Sequence, residues 1–304
     1  MNTQRQDRPD LLDPAELDAL GGLEFIARAV VEGFMSGLHS SPNRGFSVEF
    51  AEHRIYQPGD DFRFVDWKMY GRSDRFYLKQ YEEETNLAAH LCLDVSRSMD
   101  WRSKEDGLLT KLEYAKRVVA SLAMMLIRQG DEAGLYCFAE KVMSRTAPKG
   151  TLAHWSELVR RLVAQLPGQL SAAEDALAEI AGRLRRRGLV VLVSDLLVDE
   201  EATRSALNRL RHREHEVLVF HILDPGELEL PGTGDAIFVD PETGDEVEAR
   251  SAELRGEYRE AVASALDEWR RACGAQGIDY FPVSTDQPLA LSLSRYLHTR
   301  ARLA

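Results

Sequence analysis

From residue 87 onward, short runs rich in Val, Ile and Leu alternate with longer stretches whose apolar positions recur every three or four residues. The runs fall at about 88–94, 132–139, 189–195 and 216–223, with GIDYFPV, residues 277–283, as the last. Continuously apolar runs of this length suit strands buried on both faces of a sheet. Helical spacing occupies the intervals at about 111–129, 151–165, 171–186, 199–212 and 251–275, and a closing stretch at 287–302. Strands and helices therefore succeed one another, which predicts an α/β fold: a doubly wound, mostly parallel sheet with helices on both faces. KVMSRT, from Lys141, predicts a short edge strand. Between 224 and 250 the alternation breaks. AIFVDPETGDEVEA reads there as a β-hairpin with its loop at Asp240 to Gly244.

The first 86 residues have a different texture. Asp13 and Pro14 supply a carboxylate cap followed by proline at the first helical position. LDALGGLEFIARAVVEGFMSG then keeps helical spacing to about Gly37, which predicts an amphipathic helix packed on the main body. Residues 45–84 lose that period. Phe46–Phe50 and Phe76–Tyr81 alternate like short strands, and Pro58-Gly59 fits the centre of a tight turn. The expected organisation is an N-terminal helix in 1–40, a β-rich subdomain in 41–86, and an α/β domain in 87–304 with the hairpin inserted at about 224–250. Arg54, Asp60, Asp61, Arg63, Asp66 and Trp67 crowd the small subdomain. They read as a salt-bridge and turn network that docks it on the core, with Arg63 suited to bidentate pairing with a carboxylate.

Composition narrows the functional classes. With 304 residues, 44% hydrophobic and 29% charged, the chain is an ordinary globular protein. A net charge of −12 argues against a nucleic-acid binder. The one dense basic run, RLRRR at Arg183 to Arg187, reads as a helix C-terminus whose cations complement the dipole. Three scattered cysteines, Cys92, Cys137 and Cys273, read as reduced, buried thiols. MNTQRQDRPD lacks the apolar core of a signal segment, and no apolar span approaches the roughly 18 residues of a membrane helix. The cytoplasm is the expected location. His212 and His215 read as a solvated helix end rather than a zinc site. Neither G-x-S-x-G nor G-x-x-x-x-G-K-[ST] is present, so a hydrolase elbow and a phosphate-binding loop are unsupported.

Candidate chemistry gathers at strand ends. LCLDVSRSMD, residues 91–100, runs from a buried strand into Asp94, Ser96 and Ser98, spaced as D-x-S-x-S. In a doubly wound sheet, ligands bind at the carboxyl ends of the strands near the switch in strand order. Asp195, in VLVSDLL, closes another buried strand, and Thr151, in APKGTLAHW, stands at a loop-to-helix junction. Two carboxylates and three hydroxyls suit a hard cation, Mg²⁺ before Zn²⁺, with one position left for a partner's carboxylate. The bland alternatives stay open. Asp94, Ser96 and Ser98 can form a hydrogen-bonded turn, and Asp195 and Thr151 can be helix caps.

D-x-S-x-S with Thr151 and Asp195 resembles the metal-ion-dependent adhesion site of von Willebrand factor A-type domains, over about residues 87–284. RIYQPGDDFRFVDWKMYGRSDRFYLKQYEEE, just upstream, resembles the signature of the bacterial family known as domain of unknown function fifty-eight, which joins such a motif to a von Willebrand A-like domain. The resemblance implies Asp94, Ser96, Ser98, Thr151 and Asp195 as ligands of Mg²⁺, or of Mn²⁺ or Ca²⁺. It also implies a MoxR-like AAA+ ATPase as partner, in chaperone-like assembly or activation of a client protein complex. One departure stands out. Many von Willebrand A domains follow the second aspartate with glycine, and here Leu196 follows Asp195. The expected function is a non-enzymatic, cation-bridged interaction module. Its rivals are a Mg²⁺-dependent phosphoryl hydrolase with Asp94 as nucleophile and a scaffold with a vestigial metal site. Phosphatases of the first kind place an aspartate two residues on as general acid; Ser96 stands there and cannot donate a proton in that role.

Overall fold

The computed structural model describes residues 22–39, 53–55, 67–73, 75–79, 87–103, 108–168, 173–184, 186–197, 199–229, 235–239 and 246–300. Contacts divide the chain into two units, one of residues 1–36 with 87–304 and one of residues 37–86. In the small unit, β1 (His53–Ile55) pairs antiparallel with β2 (Tyr77–Lys79). The helix α2 (Trp67–Ser73) lies between them in sequence, where no helix was expected. Tyr70 and Phe76 stack with ring centroids 4.4 Å apart. The expected strand at Phe46–Phe50, the turn at Pro58-Gly59, and Asp60, Asp61, Arg63 and Asp66 lie outside the described residues, as does the start of the first helix at Asp13.

In the large unit α1 (Leu23–His39) buries Ile26, Ala27, Val30 and Val31, a one-sided helical stripe. The Arg28 guanidinium lies over the Trp155 ring at 4.9 Å and Arg128 meets Glu32 at 2.8 Å, which ties α1 to the body. The body runs β3 (Ala88–Asp94), a short 3-10 turn (Arg97–Asp100), α3 (Lys111–Arg128), β4 (Glu132–Phe138), β5 (Val142–Lys149), α4 (Leu152–Val163) and α5 (Ala173–Arg183). It continues with β6 (Leu189–Ser194), α6 (Glu200–His212), β7 (Glu216–Leu223), the one-turn helix α7 (Pro225–Leu228) and the hairpin β8 (Asp235–Val239) and β9 (Glu246–Arg250). It ends with α8 (Ser251–Ala275), β10 (Asp279–Ser284) and α9 (Leu289–Arg300). Nearly every expected element is present. The hairpin's loop, Asp240 to Gly244, lies outside the described residues.

Six strands form one sheet in the order β10-β7-β6-β3-β4-β5. All neighbours are parallel except β4 and β5. The fold is therefore a doubly wound, mostly parallel α/β sheet. From β3 the chain winds outward through β4 and β5; from β6 it winds the other way through β7 and β10. The strand order thus reverses between the adjacent strands β3 and β6, and their carboxyl ends flank the crevice such sheets use for ligands.

Burial explains the apolar runs. β3, β4, β6 and β7 are buried along almost their whole length. On one face Cys92, Tyr136, Val190 and Val219 pack with Ile180, Leu207, Trp269 and Cys273 from α5, α6 and α8. The central helix α3 is itself buried over most of its turns. All three cysteines are free and buried, and burial raises the thiols of Cys137 and Cys273 to about 11, which keeps them in the unreactive protonated form.

Two expectations are corrected. The edge strand is neither short nor simply a continuation: β5 spans Val142–Lys149 and runs antiparallel, back to the other end of the sheet. His215 is buried rather than solvated, with desolvation lowering its pKa, whereas His212 is exposed.

Candidate functional site

Asp94 is the last residue of β3 and is fully buried. The register that sets Leu93 beside Val193 brings Asp94 next to Ser194, whose hydroxyl donates to Asp94 Oδ2 at 2.6 Å. Asp94 Oδ1 accepts the backbone N–H of Ser96 at 2.8 Å, a side-chain turn that bends the chain off the strand. The 3-10 turn follows and carries buried Ser98, whose Oγ lies 3.1 Å from Ser96 Oγ. D-x-S-x-S spacing thus brings three buried oxygen-bearing side chains together at the tip of a central strand.

Asp195, buried, stands directly after β6. Its Oδ1 accepts from Leu197 N at 3.2 Å. Leu196 adopts φ +53, the left-handed region that costs a non-glycine residue about 1–2 kcal/mol. The glycine of many von Willebrand A domains would meet that backbone without strain. Leu196 instead buries its side chain and donates its N–H to Ser194 Oγ at 3.0 Å.

The contact absent from any sequence expectation is a cation. Lys111, the first residue of α3, is fully buried and places Nζ 2.8 Å from Asp195 Oδ2 and 2.5 Å from Glu227 Oε1. Glu227 is aimed by the capping box of α7. Its Oε2 accepts Asp224 N at 2.9 Å, while buried Asp224 accepts from Gly226 N at 2.8 Å and Ser103 N at 3.0 Å. Tyr258 adds a bond from its hydroxyl to Glu227 O at 2.9 Å.

Electrostatics follow from burial. Desolvation and then the nearby Asp195 charge push Asp94 up to about 6, although hydrogen bonds from Ser194 and Ser96 pull it down. Burial alone would lower Lys111, but the carboxylates of Asp195 and Glu227 overcome it and hold the ammonium above its ordinary value. His221, beside Ser194 in the sheet, is pushed down to about 4 by burial and is neutral, with Tyr280 Oη 2.6 Å from its Nδ1. Three carboxyl groups, those of Asp94, Asp195 and Glu227, thus gather around one ammonium, so acidic groups outnumber basic ones within this cluster.

The donor set fits a hard cation in part. Asp94, Ser96 and Ser98 are oxygen ligands of the right kind, and Mg²⁺ readily keeps several waters beside protein oxygens. Asp195 is close enough for its charge to raise Asp94, yet one of its oxygens is taken by Lys111. Thr151 does not belong here. Lys149 pairs with Ala133 while Asp94 pairs with Phe138, so β5 ends about 16 Å from the level of Asp94 along the strands, at 3.3 Å per residue, and Thr151 follows it at the opposite end of the sheet. There its hydroxyl caps α4 by accepting His154 N at 3.2 Å. Among the described residues no group of three or more His, Cys, Asp or Glu side chains is arranged to hold a metal ion.

Sequence reasoning missed Ser194, Lys111 and Glu227. Ser194 carried a signal, since it precedes Asp195 at the end of an apolar strand. Lys111 carried none, because a lysine in the first turn of a helix usually faces water. Trp101 and Leu197 are exposed on the loops after β3 and β6, and Leu166 is 78% exposed after α4. The segment bearing Leu166 lies on the β3 loop through Gly168, whose N–H donates to Val95 O at 2.5 Å. A Cβ at Gly168 would stand 2.9 Å from Ala139 Cβ, so a larger residue would lift the segment away.

A family profile described as "Protein of unknown function DUF58" matches residues 52–268. The chain belongs to that family. An uncharacterized protein of Mycobacterium tuberculosis is 28% identical over 302 residues, covering 97% of this chain and 93% of its own. An uncharacterized protein of Mycobacterium avium is 32% identical over 157 residues, covering 49% of this chain and 90% of its own. Among solved structures, the conserved hypothetical protein BatB from Bacteroides thetaiotaomicron is similar at TM-score 0.45 and 18% identity, over 71% of this chain and 99% of that one. The SpRpn10 VWA domain is similar at TM-score 0.38 and 10% identity, over 69% and 94%. Among the described residues no helix is long and apolar enough to cross a membrane.

Proposed function

We propose that this DUF58 chain is a protein-interaction module whose contact point is the crevice at the carboxyl ends of β3 and β6. Asp94, Ser96 and Ser98 would hold a divalent cation there. The bound ion would supply a Lewis-acidic point for a carboxylate of a partner. The observation that carries the reading is the convergence of three buried oxygen-bearing side chains at the switch point of the sheet, in a cluster where carboxyl groups outnumber the one ammonium. Burying charge without a partner is costly, and a divalent ion would offset it. The exposed Trp101, Leu166 and Leu197 would add apolar contact around the ion. A MoxR-like AAA+ ATPase is the partner the family resemblance supports, with assembly or activation of a client complex as the outcome.

A pull-down between this chain and the MoxR-like ATPase, with Mg²⁺ and then with chelator, tests the reading. Recovery should fall with chelator and with Asp94→Ala, while circular dichroism shows the variant still folded. Equal recovery in both arms rejects the bridge. The enzymatic rival predicts metal-dependent turnover of a phosphate ester that Asp94→Asn abolishes.

A further inference from the structure

A lysine ammonium is retained in a protein interior only where carboxylates compensate its lost hydration. Lys111 meets that condition twice, through Asp195 and Glu227, and its side chain has no exposed surface. Its position is built. Thr110 caps α3 by accepting Glu113 N at 3.1 Å and donating its own N–H to Glu113 Oε2 at 3.0 Å, which fixes where the first residue of the helix points. Glu227 is aimed by a second cap 116 residues later. The Asp195 Oδ2 held at 2.8 Å by the ammonium is disfavoured as a metal ligand, because two cations at contact distance repel, and Oδ1 accepts Leu197 N at 3.2 Å.

We infer that Lys111 is a resident cation that withdraws Asp195 from metal coordination, so that this chain holds its divalent ion on Asp94, Ser96 and Ser98 alone. The inference rests on the cation reading proposed above. Asp195 then acts at a distance: its charge favours a cation beside Asp94, while its oxygens stay with Lys111 and Leu197. Lys111 is a positioning residue, and with Glu227 it sets how weakly the ion is held. Fewer anionic ligands mean lower affinity for a hard cation. A weakly held ion suits a site completed only when a partner adds its own carboxylate.

Mn²⁺ titration of the full chain, read by the electron paramagnetic resonance of free Mn²⁺, tests this without any partner. The double variant Lys111→Met with Glu227→Gln removes one charge of each sign and frees Asp195. It should bind Mn²⁺ at least about tenfold more tightly than the native chain. Adding Asp195→Asn should erase the gain. Equal or weaker binding by the folded double variant overturns the inference. If that variant does not fold, Asp195→Asn is compared with Glu227→Gln, since each removes one carboxylate and leaves Lys111 the other. Losses of affinity that agree within about threefold support the inference, and a loss for Asp195→Asn larger than that overturns it. The two readings fail separately. Native binding that Asp94→Ala abolishes, with no gain in the double variant, leaves the cation reading standing without Lys111's role. A gain in the double variant with no native binding leaves Lys111's role and rejects an ion held by the native chain on Asp94, Ser96 and Ser98 alone. No binding by any form rejects both.

Discussion

The two ends of the six-stranded sheet use the same kinds of polar residue for different purposes. Where β4 starts, Asp131 accepts Leu87 N at 3.2 Å, Thr151 accepts His154 N at 3.2 Å, and His154 Nε2 lies 2.9 Å from Ala133 O. Those side chains reach backbone groups and finish strands and helices. At the carboxyl ends, side chains meet one another: Ser194 with Asp94, Ser96 with Ser98, Lys111 with Asp195 and Glu227. A left-handed leucine sits among them. Backbone satisfaction is required of any fold. Clustered charge and backbone strain are not, and they concentrate where a protein binds or reacts.

The sharpest way to break this contrast is Lys111→Met alone. It leaves the buried Asp195 and the partly buried Glu227 without their shared counter-ion, which should cost about 3 kcal/mol in urea unfolding. The double variant with Glu227→Gln should recover part of that loss. A cost below about 1 kcal/mol for Lys111→Met would mean that the ammonium is hydrated and surface-like, as exposed pairs are.

Leu196 sharpens the same contrast through the backbone. Leu196→Ala keeps the left-handed φ and loses the buried side chain, for an expected cost of about 2–4 kcal/mol. Leu196→Gly loses the same side chain but sheds strain of about 1 kcal/mol. The glycine variant should therefore be at least as stable as the alanine variant by thermal unfolding. Glycine clearly below alanine would mean that the strain is absent.

The fold was legible because buried parallel strands are written as apolar runs, and Leu189–Ser194 and Glu216–Leu223 could hardly be anything else. Asp94 and Asp195 were legible for the same reason, as the first charges after such runs. Thr151 was misplaced because strand direction is not written locally. Val142–Lys149 alternates like any half-exposed edge strand, whichever way it runs. Lys111 was illegible because its burial depends on Glu227, a residue 116 positions away. The D-x-S-x-S spacing showed which oxygens could converge and could not show that an ammonium already held one of the neighbouring carboxylates.

Stability should respond to pH with opposite signs at two points along β3. Burial and the Asp195 charge raise Asp94 from 3.8 to about 6, so the folded state binds that proton more tightly than the unfolded chain. Its stabilising contribution is full below about pH 4 and is lost as pH rises through about 6. His90, nearer the start of the strand, is lowered from 6.5 to about 4 by burial, then by His215 and Arg145. Its contribution is full above about pH 6.5 and is lost as pH falls through about 4. Asp94→Asn should then stabilise the metal-free protein at pH 8 by on the order of 2 kcal/mol and confer nothing at pH 4. His90→Gln should flatten the acid limb instead. Divalent cation should narrow the Asp94→Asn difference at pH 8, since only the aspartate gains from it.

The smallest expected effect separates the two ends most cleanly. Thr151 is exposed and gives α4 one capping bond, so Thr151→Ala should cost about 1 kcal/mol and leave Mn²⁺ affinity unchanged. Ser98→Ala, buried beside Ser96, should do the converse: modest loss of stability, with Mn²⁺ binding weakened at least severalfold as one of the three proposed oxygen ligands goes. Both variants keep the apolar core intact, so either can be titrated as a folded protein. If Thr151→Ala weakened the ion and Ser98→Ala did not, β5 would have to run the other way, and the antiparallel pairing of Lys149 with Ala133 forbids that.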